Sequence, residues 1–349
     1  MAEKRELQMK EITEQLEQGV KELFTSEMYT EYLRTMSQFH NYSFNNTLLI
    51  AMQKPDATLV AGYQAWQKKF KRQVRRGEKA IQIIAPAPIR EKQEVEKIDP
   101  ETQEPVLRFD GQPETEEVEI VIPRFRVASV FDISQTDGEP LPELETPELM
   151  GSVENFKVFM KAVQEVSPVP VRFDEISSGA KGYYSNTEKE IVIQNGMSES
   201  QTMKTGIHEV THAMLHDRDF MEEQGEKKNQ MTKEVEAESV AYTVCQYFGL
   251  DTSDYSFPYI AGWSSSMDMK ELRTSMDTIR KTAGSFIDSM TEVIQRLMRE
   301  QPELSLSAMK QAEIPIDRVE QERTLFSGEE RNLLVNYAYK FDNAEETEK

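Results

Sequence analysis

The hydrophobic and polar residues of this chain follow two patterns, one with the spacing of helices and one with the spacing of strands. Helical patterns cover 3–37 (two helices), 152–166, a helix from about Ser200, 232–249, 268–299 and 327–341. Strand-like runs, short and rich in Ile, Val and aromatic residues, cover 80–86, 118–131, 169–173, 182–185 and 189–193. Ser43 or Asn45 is placed to cap a further short helix. This mixture of elements predicts an α+β fold.

Breaks in these patterns predict the domain organisation. The segment 139–150 is rich in Pro and Glu, and it predicts a linker between domains at 1–138 and 151–300. We expect the first domain to combine helices with an antiparallel sheet, and the second to be mainly helical with a small sheet. Residues 301–349 are predicted to form a C-terminal helical extension. The acidic stretch at about 88–117 lacks periodicity and predicts a mobile hairpin or loop insertion.

The composition is typical of a soluble globular protein, since 38% of the 349 residues are hydrophobic and 30% are charged. The chain starts with a charged amphipathic helix that lacks the apolar core of a signal peptide. No apolar run approaches the roughly 18 residues of a membrane helix. We therefore expect a cytoplasmic protein without a membrane partner. The single cysteine, Cys245, lies on an apolar helix stripe and is expected to be a buried thiol.

The net charge of −21 argues against a general affinity for nucleic acid. That charge is unevenly distributed along the chain. Residues 1–138 carry 19 Lys and Arg against 23 Asp and Glu, whereas the remainder carries 22 against 39. Any nucleic-acid site is therefore expected in the first part of the chain, as a local basic patch.

The stretch 206–216 contains the motif His-Glu-x-x-His and three of the four histidines in the chain. One helical turn separates His208 from His212, so both imidazoles project from the same face. Two imidazoles at this spacing can bind one zinc ion, and Glu209 is placed to act on a water bound to that ion. The alternative is an ordinary amphipathic helix that matches a five-residue motif by chance.

A catalytic zinc site needs a third protein ligand and an open position for water. The predicted helix at 232–249 supplies candidates, because Glu234 and Glu238 lie one turn apart on a shared face while Glu236 points elsewhere. We predict that Glu234 is the third metal ligand and that Glu238 orients a histidine. The alternative for all three glutamates is a solvated helix surface.

Spacing also excludes another zinc arrangement and limits the role of His216. The extended metzincin motif needs a glycine and a histidine where this chain has Leu215 and Arg218. His216 follows His212 by four residues, but three consecutive histidines at that spacing on a straight helix cannot converge on one tetrahedral ion. We expect His216 to support the site or to pack against it.

The segment 63–79 combines aromatic and basic side chains, with seven basic residues against one acidic residue between 68 and 79. Single-strand binding uses cations for phosphates and aromatic faces for stacking bases. The candidate DNA-binding residues are Tyr63, Trp66, Lys68, Lys69, Lys71, Arg72, Arg75, Arg76 and Lys79. The alternative is a solvated basic helix in which Trp66 and Phe70, four residues apart, form the buried side.

The zinc motif, followed by Glu234-x-x-Ala237-Glu238, resembles the gluzincin-like peptidases, particularly the group that includes the ImmA/IrrE proteins. The N-terminal part resembles the ArdC antirestriction family of mobile elements in four features that follow the family's usual order. These are Asn45-Asn46, Trp66, the turn at 74–79 and the run at 130–136. Together the two resemblances cover most of the chain to about residue 250. They imply a single-stranded-DNA-binding domain joined to a zinc peptidase that acts in antirestriction or in establishing incoming mobile DNA.

The expected cofactor is Zn²⁺, and the expected partners are single-stranded DNA and a protein or peptide substrate. Glu209 would take a proton from the metal-bound water and deliver it to the leaving amine. Tyr242, Tyr255 or Tyr259 would donate a hydrogen bond to the oxyanion. Two alternatives stay open: a non-catalytic protein that coats DNA, and an ImmA-like peptidase that cleaves a repressor. Glu209 favours catalysis, because a structural zinc site has no use for a general base.

Overall fold

The computed structural model describes residues 2–97, 106, 108, 109, 112–141, 153–225, 227–250 and 257–300. The predicted extension at 301–349, its helix at 327–341 and most of the predicted linker lie outside these residues. None of the described helices combines the length and the hydrophobicity that crossing a membrane requires.

The predicted α+β class is confirmed. The helices are α1 (Ala2–Leu23), α2 (Ser26–Gln38), α3 (Phe44–Gln53), α4 (Tyr63–Lys68), α5 (Val153–Val166), α6 (Glu199–Leu215), α7 (Arg218–Glu223), α8 (Gln230–Tyr247), α9 (Ile260–Ser265) and α10 (Met269–Glu300). The strands are β1 (Val60–Gly62), β2 (Arg72–Val74), β3 (Ile81–Pro86), β4 (Ile89–Glu96), β5 (Thr115–Ile122), β6 (Phe125–Asp132), β7 (Thr136–Gly138), β8 (Val171–Asp174), β9 (Gly182–Ser185) and β10 (Glu190–Gln194).

The N-terminal sheet has the order β1-β6-β3 and is antiparallel. Alternate residues of β3, including Ile81 and Ile83, are buried beneath it, as the two-residue period of a strand requires. Ser43 caps α3 by accepting a hydrogen bond from the backbone N–H of Asn46, as predicted for one of two candidates. The Asn46 side chain also pairs with both backbone groups of Ile84, at 2.8 and 2.9 Å, which joins α3 to β3.

The predicted strand region 118–131 forms two strands, β5 and β6, separated at Pro123, which has no backbone N–H to donate. In the acidic segment, β4 and β5 pair as an antiparallel hairpin. A cross-strand ion pair joins Lys92 to Glu117 at 2.9 Å. Of the two predicted alternatives, the described part of this segment is therefore a hairpin.

The second sheet has the order β8-β10-β9, with β10 parallel to β8 and antiparallel to β9. Ile191, Val192 and Ile193 of β10 are buried. A Cβ added to Gly182 would lie 2.6 Å from Thr205 Cγ2 and 3.2 Å from Glu209 Cγ. Glycine at this position therefore allows β9 to lie directly against α6.

Asp217, which follows α6, connects the end of that helix to the second sheet. Its Oδ1 accepts the backbone N–H of Phe220 at 3.1 Å and so caps α7. Its Oδ2 accepts hydrogen bonds from Lys189 and from the Tyr184 hydroxyl. Burial raises the pKa of Asp217, but the hydrogen bonds from Lys189 and Tyr184 outweigh this effect and hold the pKa well below its usual range.

The largest hydrophobic core contains residues from both predicted domains. Helices α1 to α3 contribute buried side chains to it, and so do α5, α6, α8 and α10. One polar contact within this interface joins the Tyr29 hydroxyl of α2 to Ser239 Oγ of α8 at 2.8 Å. A separate, smaller core lies beneath the N-terminal sheet. Helices from both sides of the predicted linker at 139–150 pack into this one core. The division of the chain into two domains therefore stays a prediction.

Candidate metal centre and basic surface

The metal-binding candidates lie where α6 faces α8. Ser198 caps the first turn of α6, and the N–H of His216 returns to the carbonyl of His212 at its end. At the start of α8, the side chain of Asn229 accepts the backbone N–H of Thr232 at 2.8 Å. These caps define the two helices whose facing residues form the site.

Three predicted ligand atoms form a compact triangle. The Nε2 atoms of His208 and His212 lie 3.1 Å apart, and Glu234 Oε2 lies 3.6 Å from the first and 3.7 Å from the second. Metal–ligand bonds of about 2.0–2.1 Å place the corners of a tetrahedron about 3.3 Å apart. The geometry and the donor set therefore fit one divalent metal ion, and among the described residues these three form the group that could hold one.

The three candidate ligands are partly exposed to solvent. The side chains of His208 and His212 are 20% and 15% exposed, whereas that of Glu234 is 45% exposed. Hydrogen bonds with His208 and then His212 hold the pKa of Glu234 well below its usual range. Solvent therefore reaches the candidate ligands, above all Glu234.

Glu238 lies beside the first histidine, with its Oε2 3.4 Å from His208 Nδ1. Burial lowers the pKa of His208, but hydrogen bonds with Glu234 and Glu238 outweigh burial and raise the pKa to about 10. A bound cation would compete with that proton, because the ligand nitrogen must present its lone pair. The position of Glu238 suits the predicted role of orienting the His208 ring.

Glu209 lies on α6, next to His208 in sequence, and it is buried. Burial raises the pKa of its carboxyl group. The charges of His208 and His212 and a backbone hydrogen bond at Tyr184 of β9 act in the opposite direction. A carboxylate with a raised pKa beside the ligand histidines is suited to accept a proton from water.

Glu236 points away from Glu234, as predicted, but it is not on a solvated surface. Its side chain is fully buried, and its Oε2 contacts His216 Nε2 at 3.0 Å and Lys228 Nζ at 2.9 Å. The Ser275 hydroxyl donates to the other carboxylate oxygen. Burial raises the pKa of Glu236, but the hydrogen bonds from His216, Lys228 and Ser275 outweigh it and lower the pKa.

His216 lies between this buried carboxylate and the metal-binding candidates. Its Nδ1 is 2.9 Å from Nδ1 of His212, and burial lowers its pKa. The four-residue spacing of His212 and His216 signals this contact in the sequence. No local pattern could have placed Glu236, Lys228 and Ser275 around one point.

The structure distinguishes among the three candidate tyrosines. Tyr242 is buried, with its ring packed edge-on against Phe257 in the core. Tyr255 lies outside the described residues. Burial and the charges of Glu238 and Glu234 raise the pKa of Tyr259 to about 12. Of the two described tyrosines, Tyr259 is therefore the one whose pKa is affected by the carboxylate of the candidate ligand Glu234.

The prediction that Trp66 offers a face for base stacking is wrong for this structure. Trp66 is fully buried, its Nε1 donates to the carbonyl of Phe131 at 2.8 Å, and its ring lies 4.8 Å from that of Phe70. The burial of Trp66 agrees with the alternative interpretation, but α4 ends at Lys68, so that Phe70 lies beyond the helix and is half-buried.

Three of the predicted basic residues are committed to contacts within the protein. Arg72 donates to the side chain and the carbonyl of Thr136, at 2.8 and 2.9 Å. Arg75 contacts Glu78 at 2.7 Å and the carbonyl of Ser134 at 2.6 Å. A longer ion pair of 3.9 Å joins Lys71 to Glu139. These contacts join β2 to the segment around β7 and neutralise part of the predicted patch.

The other predicted DNA-binding residues are exposed on α4 and in the segment that follows it as far as β3. Tyr63 is 47% exposed, and its hydroxyl accepts a hydrogen bond from Gln73. Gly77, with a φ of +91°, lies between Arg76 and Lys79, the two basic residues nearest β3 in sequence. Lys68, Lys69, Arg76 and Lys79 are also exposed. We call these four cations together with Tyr63 the basic rim.

Residues 2–131 match the family model described as the N-terminal domain of anti-restriction factor ArdC. A protein of Bacillus anthracis, the uncharacterized protein pXO2-81, is 28% identical over 319 residues, which cover 83% of this chain and 52% of that protein. This chain therefore spans about half the length of the curated relative.

Two solved structures of the antirestriction ArdC protein from plasmid R388 also match. The metal-free structure has a TM-score of 0.43 and 20% identity, and the match covers 72% of this chain and 85% of that one. For the Mn(II)-bound structure the TM-score is 0.41, the identity is 18%, and the coverage is 72% and 84%.

Proposed function

We propose that this chain, whose residues 2–131 match the ArdC N-terminal domain model, is a zinc-dependent metallopeptidase coupled to single-stranded-DNA binding. Its role would be antirestriction, or the establishment of incoming mobile-element DNA. The coupling would join a DNA-binding surface within 1–138 to a peptidase site within 151–300.

The arrangement of Glu209 beside the candidate ligands carries the catalytic part of the proposal. His208, His212 and Glu234 would hold the ion through two nitrogens and one oxygen, a donor set that zinc commonly accepts. A structural zinc site is closed by four protein ligands and needs no general base. Here three ligands, a solvent-facing side and a buried carboxylate with a raised pKa occur together.

When bound, zinc would polarise the scissile carbonyl and lower the pKa of its water toward about 7. Glu209 would accept the proton of that water and then deliver it to the leaving amine. Glu238 would hold the ring of His208 in the orientation that binding needs. Tyr259, whose pKa is raised by burial and by the charges of Glu238 and Glu234, would donate its phenolic proton as a hydrogen bond to the developing oxyanion.

Strand β9 provides a place for the substrate backbone. It lies at the edge of its sheet as far as the described residues extend, and it lies against α6 at Glu209. An extended peptide can add to such an edge through main-chain hydrogen bonds. A peptide bound there would present its backbone beside the ligands and the general base.

The basic rim is our proposed contact surface for single-stranded DNA. Tyr63 offers a partly exposed ring for stacking, and the four cations offer charge for phosphates. A surface of this kind binds unpaired bases without reading an order of bases, so little sequence preference is expected. Binding should weaken steeply with salt, because phosphate contacts release counterions.

The test of the catalytic proposal compares Glu209→Gln with Glu199→Gln, an exposed glutamate on the same helix. Each protein is assayed for zinc content and for cleavage of an unfolded protein, with and without single-stranded DNA. We expect all of them to bind about one zinc per chain. We expect cleavage by the native chain and by Glu199→Gln, and none by Glu209→Gln, because an amide cannot accept the proton.

Cleavage that survives in Glu209→Gln would refute the general-base role. A native chain that binds zinc yet cleaves nothing under either condition would refute the peptidase part. A native chain without bound zinc after metal loading would remove the metal site itself.

A further inference from the structure

A continuous series of buried polar contacts begins at one candidate metal ligand and ends away from the site. Nδ1 of His212 lies 2.9 Å from Nδ1 of His216, and Nε2 of His216 lies 3.0 Å from Glu236 Oε2. The same carboxylate accepts Lys228 Nζ at 2.9 Å and the hydroxyl of Ser275. The series thereby connects α6, α8 and α10 with the loop before α8.

Binding of a metal at Nε2 of His212 determines every proton in this series. The ligand nitrogen must carry a free lone pair, so the proton of His212 lies on Nδ1 and can only be donated. Nδ1 of His216 must then accept, and the proton of His216 lies on Nε2. That proton is donated to Glu236, whose charge Lys228 balances. Each donor thus meets one acceptor.

Packing alone does not explain these residues. The side chains of His216 and Glu236 are 2% and 0% exposed, and that of Lys228 is 15% exposed. Removing charged groups from water is unfavourable, and apolar side chains of the same volume would avoid that penalty. If Glu236 holds His216 against the candidate ligand His212, that contact would account for a buried carboxylate at position 236.

We propose that His216, held by Glu236, is a positioning residue that fixes the tautomer and the ring orientation of His212. Acceptance of the Nδ1 proton also makes Nε2 of His212 a stronger ligand. His208 has a carboxylate neighbour in Glu238, whereas His212 reaches its carboxylate through a second histidine. The proposal rests on the metal site of the proposed function, but not on peptide cleavage.

The experiment uses the full chain and a pair of variants with the same shape, His216→Leu and His216→Asn. The side chains of Leu and Asn are nearly isosteric, but the Asn amide oxygen takes a position close to that of Nδ1 and can accept a hydrogen bond. The control is Tyr29→Phe, which removes a buried hydrogen bond to Ser239 of α8 without touching this series. Folding of each variant is checked by circular dichroism and thermal unfolding.

Two readouts are made at one pH: zinc affinity by competition with a chelator, and the visible spectrum of the Co²⁺-loaded protein. We expect His216→Leu to weaken zinc binding about 10- to 100-fold and to shift the Co²⁺ bands. His216→Asn should recover most of the affinity and a spectrum close to that of the native protein. Tyr29→Phe should leave both readouts unchanged.

A folded His216→Leu protein with native affinity and a native Co²⁺ spectrum would overturn the proposal. Equal losses in His216→Leu and His216→Asn would also overturn it, because the accepting atom would then be irrelevant. A native chain that binds zinc but cleaves no peptide would refute the proposed activity alone. In that case the comparison of the two His216 variants would still decide the positioning role.

Discussion

Trp66 and Tyr63 lie three residues apart in α4, and substitutions at the two positions should have opposite consequences. Trp66 is fully buried and donates its Nε1–H to Phe131 at 2.8 Å, whereas Tyr63 is 47% exposed. We therefore expect Trp66→Phe to reduce stability without changing the DNA affinity of the folded protein. Tyr63→Ala should reduce DNA affinity with little change in stability.

The magnitudes follow from the two environments. Trp66→Phe leaves the carbonyl of Phe131 without its donor, at a cost of about 1–3 kcal/mol. It also removes part of a buried ring, for which complete truncation to Ala costs about 3–5 kcal/mol. A loss of about 2–4 kcal/mol is expected, which corresponds to a decrease in Tm of about 3–6 °C for a chain of this length. The exposed Tyr63 should change stability by no more than about 0.5 kcal/mol.

The DNA measurement is a titration of fluorescent single-stranded DNA at low salt, at a temperature where both variants are folded. Loss of one stacking face costs about 1–3 kcal/mol, so Tyr63→Ala should bind about 5- to 150-fold more weakly. Folded Trp66→Phe should bind like the native chain. Loss of affinity in folded Trp66→Phe, together with native affinity in Tyr63→Ala, would refute the assignment of core and contact surface.

Three further outcomes are expected. The double variant Arg76→Ala/Lys79→Ala should bind single-stranded DNA more weakly. The slope of log K against log salt should become shallower by about 1.4, because two phosphate contacts are lost. An unchanged slope would place the DNA site elsewhere. Gly182→Ala should lower stability by about 1–3 kcal/mol, because the Cβ of the alanine would overlap a side chain of α6. Thermal unfolding measures this loss, and native stability of the variant would contradict the contact. Asp217→Asn should cost about 1 kcal/mol at pH 7. Because the folded-state pKa of Asp217 is lowered, this difference should decrease progressively as the pH falls from about 4 towards the folded-state pKa. Denaturant unfolding at several pH values measures it, and a difference that does not change with pH would contradict the prediction.

Local rules were sufficient for much of the candidate site. The spacing of His208 and His212 places two imidazoles on one face of a helix, whatever the helix packs against. The same rule places Glu234 and Glu238 together and directs Glu236 elsewhere. Helix and strand positions also follow from short-range patterns, and Ser43 caps α3 as one of the predicted candidates. These inferences succeed because each depends on residues within about one or two turns of one another.

The tertiary structure decided the features that join distant parts of the chain. Trp66 is buried with its N–H satisfied, since the carbonyl of Phe131, 65 residues later, accepts it. Arg75 is committed to Ser134 and Glu78, so a segment that is basic in sequence is less basic at its surface. Periodicity cannot separate a stacking aromatic from a core aromatic, since both occupy one face of an amphipathic helix.

Glu236 shows most clearly the difference between what local patterns determine and what tertiary contacts determine. The sequence places Glu236 on a different face of α8 from Glu234, and it could equally have been solvated. Only the packing of three helices brings His216 and Ser275, 20 and 39 residues away, to its two oxygens. Helical periodicity determines the direction of a side chain, but the partner that it meets depends on contacts between residues that are far apart in sequence.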